Sequence, residues 1–146
     1  MKFSDVAQSE WESLRPYVDT CLLPVTGLTG SEAPWEATQA LEHLRDALDC
    51  FEIPYKGRIL TYPAFHFVSP EEDSSLLKQV CTRLKDNGFA FVVVVTAKAE
   101  LGHSLNTVGA DLSFALPPQV LNKSLLQVQQ QISRKLQHMW SHRTQE

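Results

Sequence analysis

Residues 26–32, with the sequence TGLTGSE, combine glycines with small hydroxyl side chains, as anion-binding loops do. Glycine lets the backbone turn until its N–H groups converge, and the helix predicted next would point the positive end of its dipole at the same place. The spacing lacks the lysine of a P-loop and the third glycine of a dinucleotide fingerprint, so an ordinary turn into a capped helix is the alternative. The candidate ligand-binding residues of this loop are Thr26, Gly27, Thr29, Gly30 and Ser31.

Three further side chains are candidates because they follow predicted strands. Tyr62 can donate to a developing oxyanion, His66 can act as an acid or base near neutral pH, and Lys98 can neutralise a phosphate or carboxylate. Since ligands bind outside the carboxyl ends of parallel strands, these side chains and the loop would border one crevice. His66 lies between Phe65 and Phe67, so the alternative is a side chain that only points to the other face of its strand.

The sequence contains no complete catalytic or metal-binding constellation. A Gly-x-Ser-x-Gly elbow is missing, and no cysteine has an evident partner, which argues against a nucleophilic hydrolase. His138 and His142 are four residues apart on one helical face, but zinc needs three or four ligands. We therefore expect a solvated chain end there and no metal site. No motif indicates a cofactor.

The element that must position these residues is the run FAFVVVVT at residues 89–96. Its successive valines favour a strand, and its uninterrupted apolar character indicates burial on both faces. A strand of that kind belongs to a parallel sheet with helices above and below it. We therefore expect this strand to be central or nearly so.

Helical and extended patterns alternate along the chain, which is typical of βαβ units. The predicted fold class is α/β, a three-layer, Rossmann-like sandwich with a small, mostly parallel sheet of about four strands and helices on both faces. The whole chain, residues 1–146, is predicted to form a single α/β domain. The predicted strands are residues 17–25, 58–68, 89–96 and 108–116. A capping box at residues 69–72 opens a helix whose predicted buried face is Leu76, Leu77, Val80 and Leu84.

The closing helix is predicted to run from Pro117 to about Trp140 with one apolar stripe, which is longer than a small sheet needs for cover. Its second half should therefore overhang. A homodimer through this helix would cover Met139 and Trp140. The alternative is that Phe3 and Trp11 cover them within one chain. The stripe consists of Leu121, Leu125, Val128, Ile132, Leu136 and Met139.

Composition excludes some classes of partner. The formal charge is −4 and the pI about 5.7. The chain has no surplus of basic residues, so nucleic acid binding is not expected. The sequence has neither an apolar run of membrane-spanning length nor the apolar core of a signal peptide, so no membrane association is expected. The three widely spaced cysteines indicate reduced thiols in a cytoplasmic protein.

The opening MKFSDV, the segment YVDTCLLPV, the strand GRILTYPAF and the long closing helix resemble the YpiF-like proteins, small uncharacterised proteins from bacilli. The resemblance covers most of the chain. It implies a cytosolic protein of one domain, and it carries no activity, cofactor or catalytic residue over to this sequence.

Two functions agree with these patterns. The first is a non-catalytic module that binds a small anionic ligand or a protein partner, because no catalytic constellation is complete. The alternative is an enzyme that acts on a small phosphorylated or carboxylated substrate in the crevice at the strand ends, using Tyr62, His66 and Lys98. The enzyme requires those three side chains to share one pocket, and the binding module does not.

Overall fold

The computed structural model describes residues 1–66, 75–106 and 108–143. For residue 143 it describes the backbone alone. Single turns of 3-10 helix lie at Phe3–Asp5 and Ala99–Leu101. The strands are β1 (Thr20–Val25), β2 (Ile59–Thr61), β3 (Phe91–Thr96) and β4 (Leu112–Ala115). The helices are α1 (Gln8–Leu14), α2 (Pro34–Glu52), α3 (Ser75–Asp86), α4 (Gly102–Leu105), α5 (Pro118–Lys123) and α6 (Leu125–Arg143).

The strands form one four-stranded sheet in the order β2-β1-β3-β4, and every pair in it is parallel. β1 pairs with β2 on one side, where Thr20 lies opposite Ile59. On its other side β1 pairs along its whole length with β3, from Thr20 opposite Phe91 to Val25 opposite Thr96. β4 is an edge strand beside β3. The strand order therefore reverses between β1 and β3.

Alternate residues of the central strands enter two separate cores, because successive side chains of a strand point to opposite faces. Val93 and Val95 belong to a core that includes residues of α2 and α6. Val92 and Val94 belong to a second core, which includes residues of α3 and α4 and is flanked by α1. Helices on both faces of a parallel sheet confirm the predicted α/β sandwich.

β2 is shorter than the predicted strand at residues 58–68. It ends at Thr61, ahead of Pro63, which has no N–H group to donate to a neighbouring strand. Further along the chain Phe65 returns to the sheet as an isolated parallel bridge to Val25. β1 and β4 also begin later than predicted.

α3 is described from Ser75 onward, so the predicted capping box at residues 69–72 lies outside the described residues. Leu76 was expected on the buried face, and this expectation is wrong because its side chain is 66% exposed. Neighbouring helical residues diverge by about 100°, so Leu76 and Leu77 cannot share one narrow face. The fully buried positions of α3 are Leu77, Cys81 and Leu84.

The closing helix is interrupted at Ser124, whose φ of −162° and ψ of 87° are not helical. Its hydroxyl accepts a hydrogen bond from Gln127 N at 3.4 Å and so helps to begin α6. Leu125 was expected in the buried stripe but is 49% exposed, because it lies in the first turn after the break. Neither α6 nor any other helix of the described residues is long and apolar enough to cross a membrane.

The second half of α6 does not overhang the sheet. Met139 and Trp140 are buried within the same core as α2 and β3. The predicted cover by Phe3 and Trp11 is also wrong, because both pack against the core on the opposite face of the sheet. The exposure that motivated the homodimer is therefore missing, and the homodimer itself stays a prediction.

Trp140 is held by polar contacts at the start of β1. Its Nε1 donates to Thr20 Oγ1 at 2.8 Å, and the Arg58 guanidinium lies 3.8 Å from its ring centroid. Arg58 in turn donates to both carboxylate oxygens of Asp19, at 3.2 Å and 3.1 Å. The network joins α6 to the amino-terminal end of β1 and to the residue that precedes β2.

Trp140→Phe should lower the free energy of unfolding by about 1–3 kcal/mol. The change removes the hydrogen bond to Thr20 and weakens the cation–π contact with Arg58. Trp35→Phe is the matched control, because Trp35 is 74% exposed. Urea unfolding of both variants tests this, and equal losses of stability would contradict it.

Candidate functional site

The carboxyl ends of β1 and β3 form the edge at which the sequence predicts a ligand site. Ligands of open parallel sheets bind where the strand order reverses, and it reverses between these two strands. Thr26 follows β1 directly, and Lys98 follows the end of β3 at Thr96. The predicted loop residues from Thr26 onward and Lys98 thus follow the strand ends at the expected edge.

Thr26 and His66 come together although they are distant in sequence. Thr26 Oγ1 lies 2.6 Å from His66 Nδ1 and 3.4 Å from Phe65 O, and it accepts from Leu28 N at 3.3 Å. The hydroxyl donates to an unprotonated Nδ1, or it accepts from Nδ1–H and donates to Phe65 O. A hydroxyl beside an imidazole resembles an activated nucleophile, but Thr26 is only 3% exposed. The pair therefore holds the His66 segment against the end of β1 and offers little access to a substrate.

Lys98 bridges the two loops. Its Nζ donates to Gly27 O at 2.9 Å, and its backbone N donates to Thr96 Oγ1 at 3.2 Å. Gly27 has a φ of +69°, and a Cβ added there would lie 2.7 Å from Leu101 Cδ1. Leu101 is fully buried against Gly27, and together with the Lys98 hydrogen bond this puts the loops after β1 and β3 in direct contact. The chain's own atoms fill the space between them.

Glu32 occupies the N–H groups that were expected to bind an anion. Its carboxylate accepts from Thr29 N at 2.9 Å, from Thr29 Oγ1 at 3.1 Å and from Gly30 N at 3.0 Å. Ser31 N donates to Thr29 Oγ1 at 3.2 Å. The hydrogen bonds to Glu32 lower the pKa of its carboxyl group to about 2, and the bond from Thr29 N contributes most. Anion binding by this loop stays a prediction, and an external anion would have to displace Glu32.

Tyr62 lies apart from the other predicted site residues. Its ring packs edge-on against Phe3 with centroids 4.9 Å apart. It lines one cavity with Lys2 and Phe3 and a second cavity with Arg83. Neither His66 nor Lys98 is among the described residues that line these two cavities. Tyr62 therefore does not share a pocket with them.

The histidine pair of α6 is exposed. His142 Nδ1 donates to His138 O at 2.8 Å, because a carbonyl oxygen can only accept, and the two rings lie 4.1 Å apart. Across the part of the chain that the structure describes, no three His, Cys, Asp or Glu residues are grouped so that they could hold a metal ion.

A surface that the sequence did not predict lies between α2 and the helices α5 and α6. It is a cavity of about 480 Å³, called the α2–α5–α6 groove below. Cys50 and Leu121 are buried at its lining, whereas Ile53 and Leu125 are 73% and 49% exposed. The lining residues that matter for its chemistry are Asp46, Asp49, Cys50, Ile53, Leu121 and Leu125.

Ser124 breaks the closing helix into α5 and α6, and residues of both helices line the groove. One local signal for that break is present in the sequence, since Ser124 follows the polar residues Asn122 and Lys123 and is a good N-cap. The apolar stripe of the closing helix masks this signal, because Leu121 and Leu125 are four residues apart, as in a continuous helix.

The fold and these surfaces define a small α/β protein with a parallel sheet. The chain belongs to the family described as protein of unknown function (DUF2487), whose model matches residues 9–140. No curated protein and no solved structure matches the chain. The family confirms the expectation of an uncharacterised protein family, and it names no reaction or ligand.

Gly27→Ala should destabilise the protein more than Gly30→Ala. Both glycines have positive φ, so either substitution costs about 1 kcal/mol of backbone strain. At Gly27 the new Cβ would also press on buried Leu101, which adds about 1–3 kcal/mol, whereas Gly30 faces open space. Denaturant unfolding compares the two, and equal effects would show that the loops after β1 and β3 are not packed together.

The stability gained from Glu32 should disappear at low pH. Folding lowers the pKa of its carboxyl group from 4.5 to about 2, so the ionised group stabilises the folded state above pH 4.5. That contribution falls as the pH drops from about 4.5 towards about 2. The difference in unfolding free energy between the wild type and Glu32→Gln should therefore shrink over this range. A difference that stays constant from pH 6 to pH 3 would contradict the hydrogen bonding described for Glu32.

Proposed function

We propose that this protein is a non-catalytic interaction module that binds a partner protein in the α2–α5–α6 groove. The observation that carries the proposal is the exposure of large apolar side chains at a concave surface. Ile53 and Leu125 line the groove and are 73% and 49% exposed. Clustered apolar exposure next to a cavity is typical of protein-binding surfaces.

The contacts at the strand ends argue against the alternative, an enzyme acting on a small phosphorylated or carboxylated substrate. Thr26 is buried beside His66, and Lys98 is bound to Gly27 O. Tyr62 packs on Phe3, in a different cavity. A general acid or base must lie within hydrogen-bond reach of a bound substrate, and these contacts leave little room for one.

Other expectations from the sequence continue as proposals. We infer a YpiF-like, cytoplasmic protein, which the three free, buried cysteines support. A Rossmann-like relationship is supported by the strand order, because doubly wound ligand-binding sheets with the order 2-1-3-4-5 also reverse between β1 and β3. The homodimer predicted through the closing helix would have to use the exposed residues Leu125 and Leu126, since Met139 and Trp140 are buried, and it would compete with the partner protein for Leu125.

The test is a selection of amphipathic helical peptides from a display library against the wild-type protein. Peptides that occupy the groove should bind the wild type and lose binding to Leu125→Glu by about tenfold or more, because a carboxylate would enter an apolar contact. Leu76→Glu is the matched control, since Leu76 is 66% exposed on α3, away from the groove. Failure to enrich any peptide, or equal binding to both variants, would overturn the proposal.

A further inference from the structure

We propose that the partner segment is an amphipathic helix with basic residues beside its apolar stripe. This inference rests on the proposed function and adds the chemistry of the partner. Asp46 and Asp49 are the acidic residues that line the described groove; His43 lines it as well, whereas neither lysine nor arginine does. A partner that brings positive charge would therefore meet complementary charge along with the apolar rim.

The two carboxylates lie where they can meet a partner. Asp46 and Asp49 are three residues apart on α2, so they project from neighbouring turns of one helix face. Both line the same cavity as Cys50. Burial, and after it the charges of Asp49 and Asp46, raises the pKa of the Cys50 thiol, which agrees with carboxylates at the edge of the groove. In the part of the chain that the structure describes, neither aspartate forms a salt bridge.

The walls of the groove favour a helix over an extended strand as the partner. Most of the lining residues belong to α2, α5 and α6, whose backbone groups are largely hydrogen-bonded within the helices. No strand edge of the described residues lines the groove, so a partner strand would find no ladder to extend. Recognition must then come from side chains, and a helix supplies apolar anchors at three- and four-residue spacing.

Charge disfavours a second copy of this chain as the occupant. In a two-fold contact the same surface meets itself, so Asp46 and Asp49 would approach the equivalent carboxylates of the other copy. Like charges brought together in this way oppose association. The chain also carries a net charge of −4, which favours a basic partner at longer range.

The experiment uses three synthetic helical peptides with one shared leucine stripe, whose flanking positions are all lysine, all glutamine or all glutamate. Binding to the full chain is measured by fluorescence anisotropy at low and at moderate salt. The lysine peptide should bind tightest, and its affinity should fall as salt is added. The double variant Asp46→Asn/Asp49→Asn should bind it about tenfold more weakly. Glu10→Gln/Glu100→Gln makes the same change in net charge at exposed positions outside the groove lining and should leave binding nearly unchanged.

The outcomes separate the two proposals. If none of the peptides binds and the display selection is also empty, the proposed function fails together with this inference. If peptides bind but the lysine peptide has no advantage, or the Asp46→Asn/Asp49→Asn variant binds it normally, only the basic partner is overturned. Equal weakening by the control variant would assign the binding to overall charge and overturn the inference as well. A dimer in light scattering that Leu125→Glu converts to monomers would make a second copy the occupant and overturn the foreign partner.

Discussion

The structure depends on the pairing of β1 with β3, two strands whose residues are all buried. They pair with each other along all six positions, and their side chains require apolar cover on both faces. Val93, at the middle of β3, is fully buried. This requirement explains why helices from both halves of the chain pack on the sheet, and why the second half of α6 lies against it.

The buried polar side chains of the described residues are threonines, and each connects a strand end to a neighbouring element. Thr20 accepts from the Trp140 indole and donates to Asp19 Oδ1 at 2.9 Å. Thr61 donates to Glu52 Oε1 of α2 at 2.7 Å, and Thr96 accepts from Lys98 N. A buried hydroxyl without a partner would be costly, so these bonds restrict how the loops leave the sheet. The remaining member of this set is Thr26, bound to the His66 segment.

The sequence predicts the sheet and its central strand well, because continuous apolar runs and helical periodicity depend on burial alone. β3 begins two residues after the start of the predicted run at residues 89–96 and ends with it, at Thr96. Contacts between distant residues were not predictable in the same way. Nothing local to Trp140 indicates that Thr20 and Arg58 contact it. In the same way, nothing local to Thr26 indicates that His66 lies beside it. Both outcomes depend on how the chain returns to itself.

The two candidate surfaces differ in how fully the chain satisfies its own groups. At the strand ends, Glu32 holds N–H groups of the loop, Lys98 holds Gly27 O, and Leu101 fills the contact between the loops. A ligand there would have to replace internal hydrogen bonds, and the net gain from such an exchange is small. At the α2–α5–α6 groove, Ile53 and Leu125 still expose apolar area, whose burial is worth about 25 cal/mol per Å². Association is therefore opposed less at the groove, and this difference is the physical reason to seek the function of the protein on its helices and not at the ends of its strands.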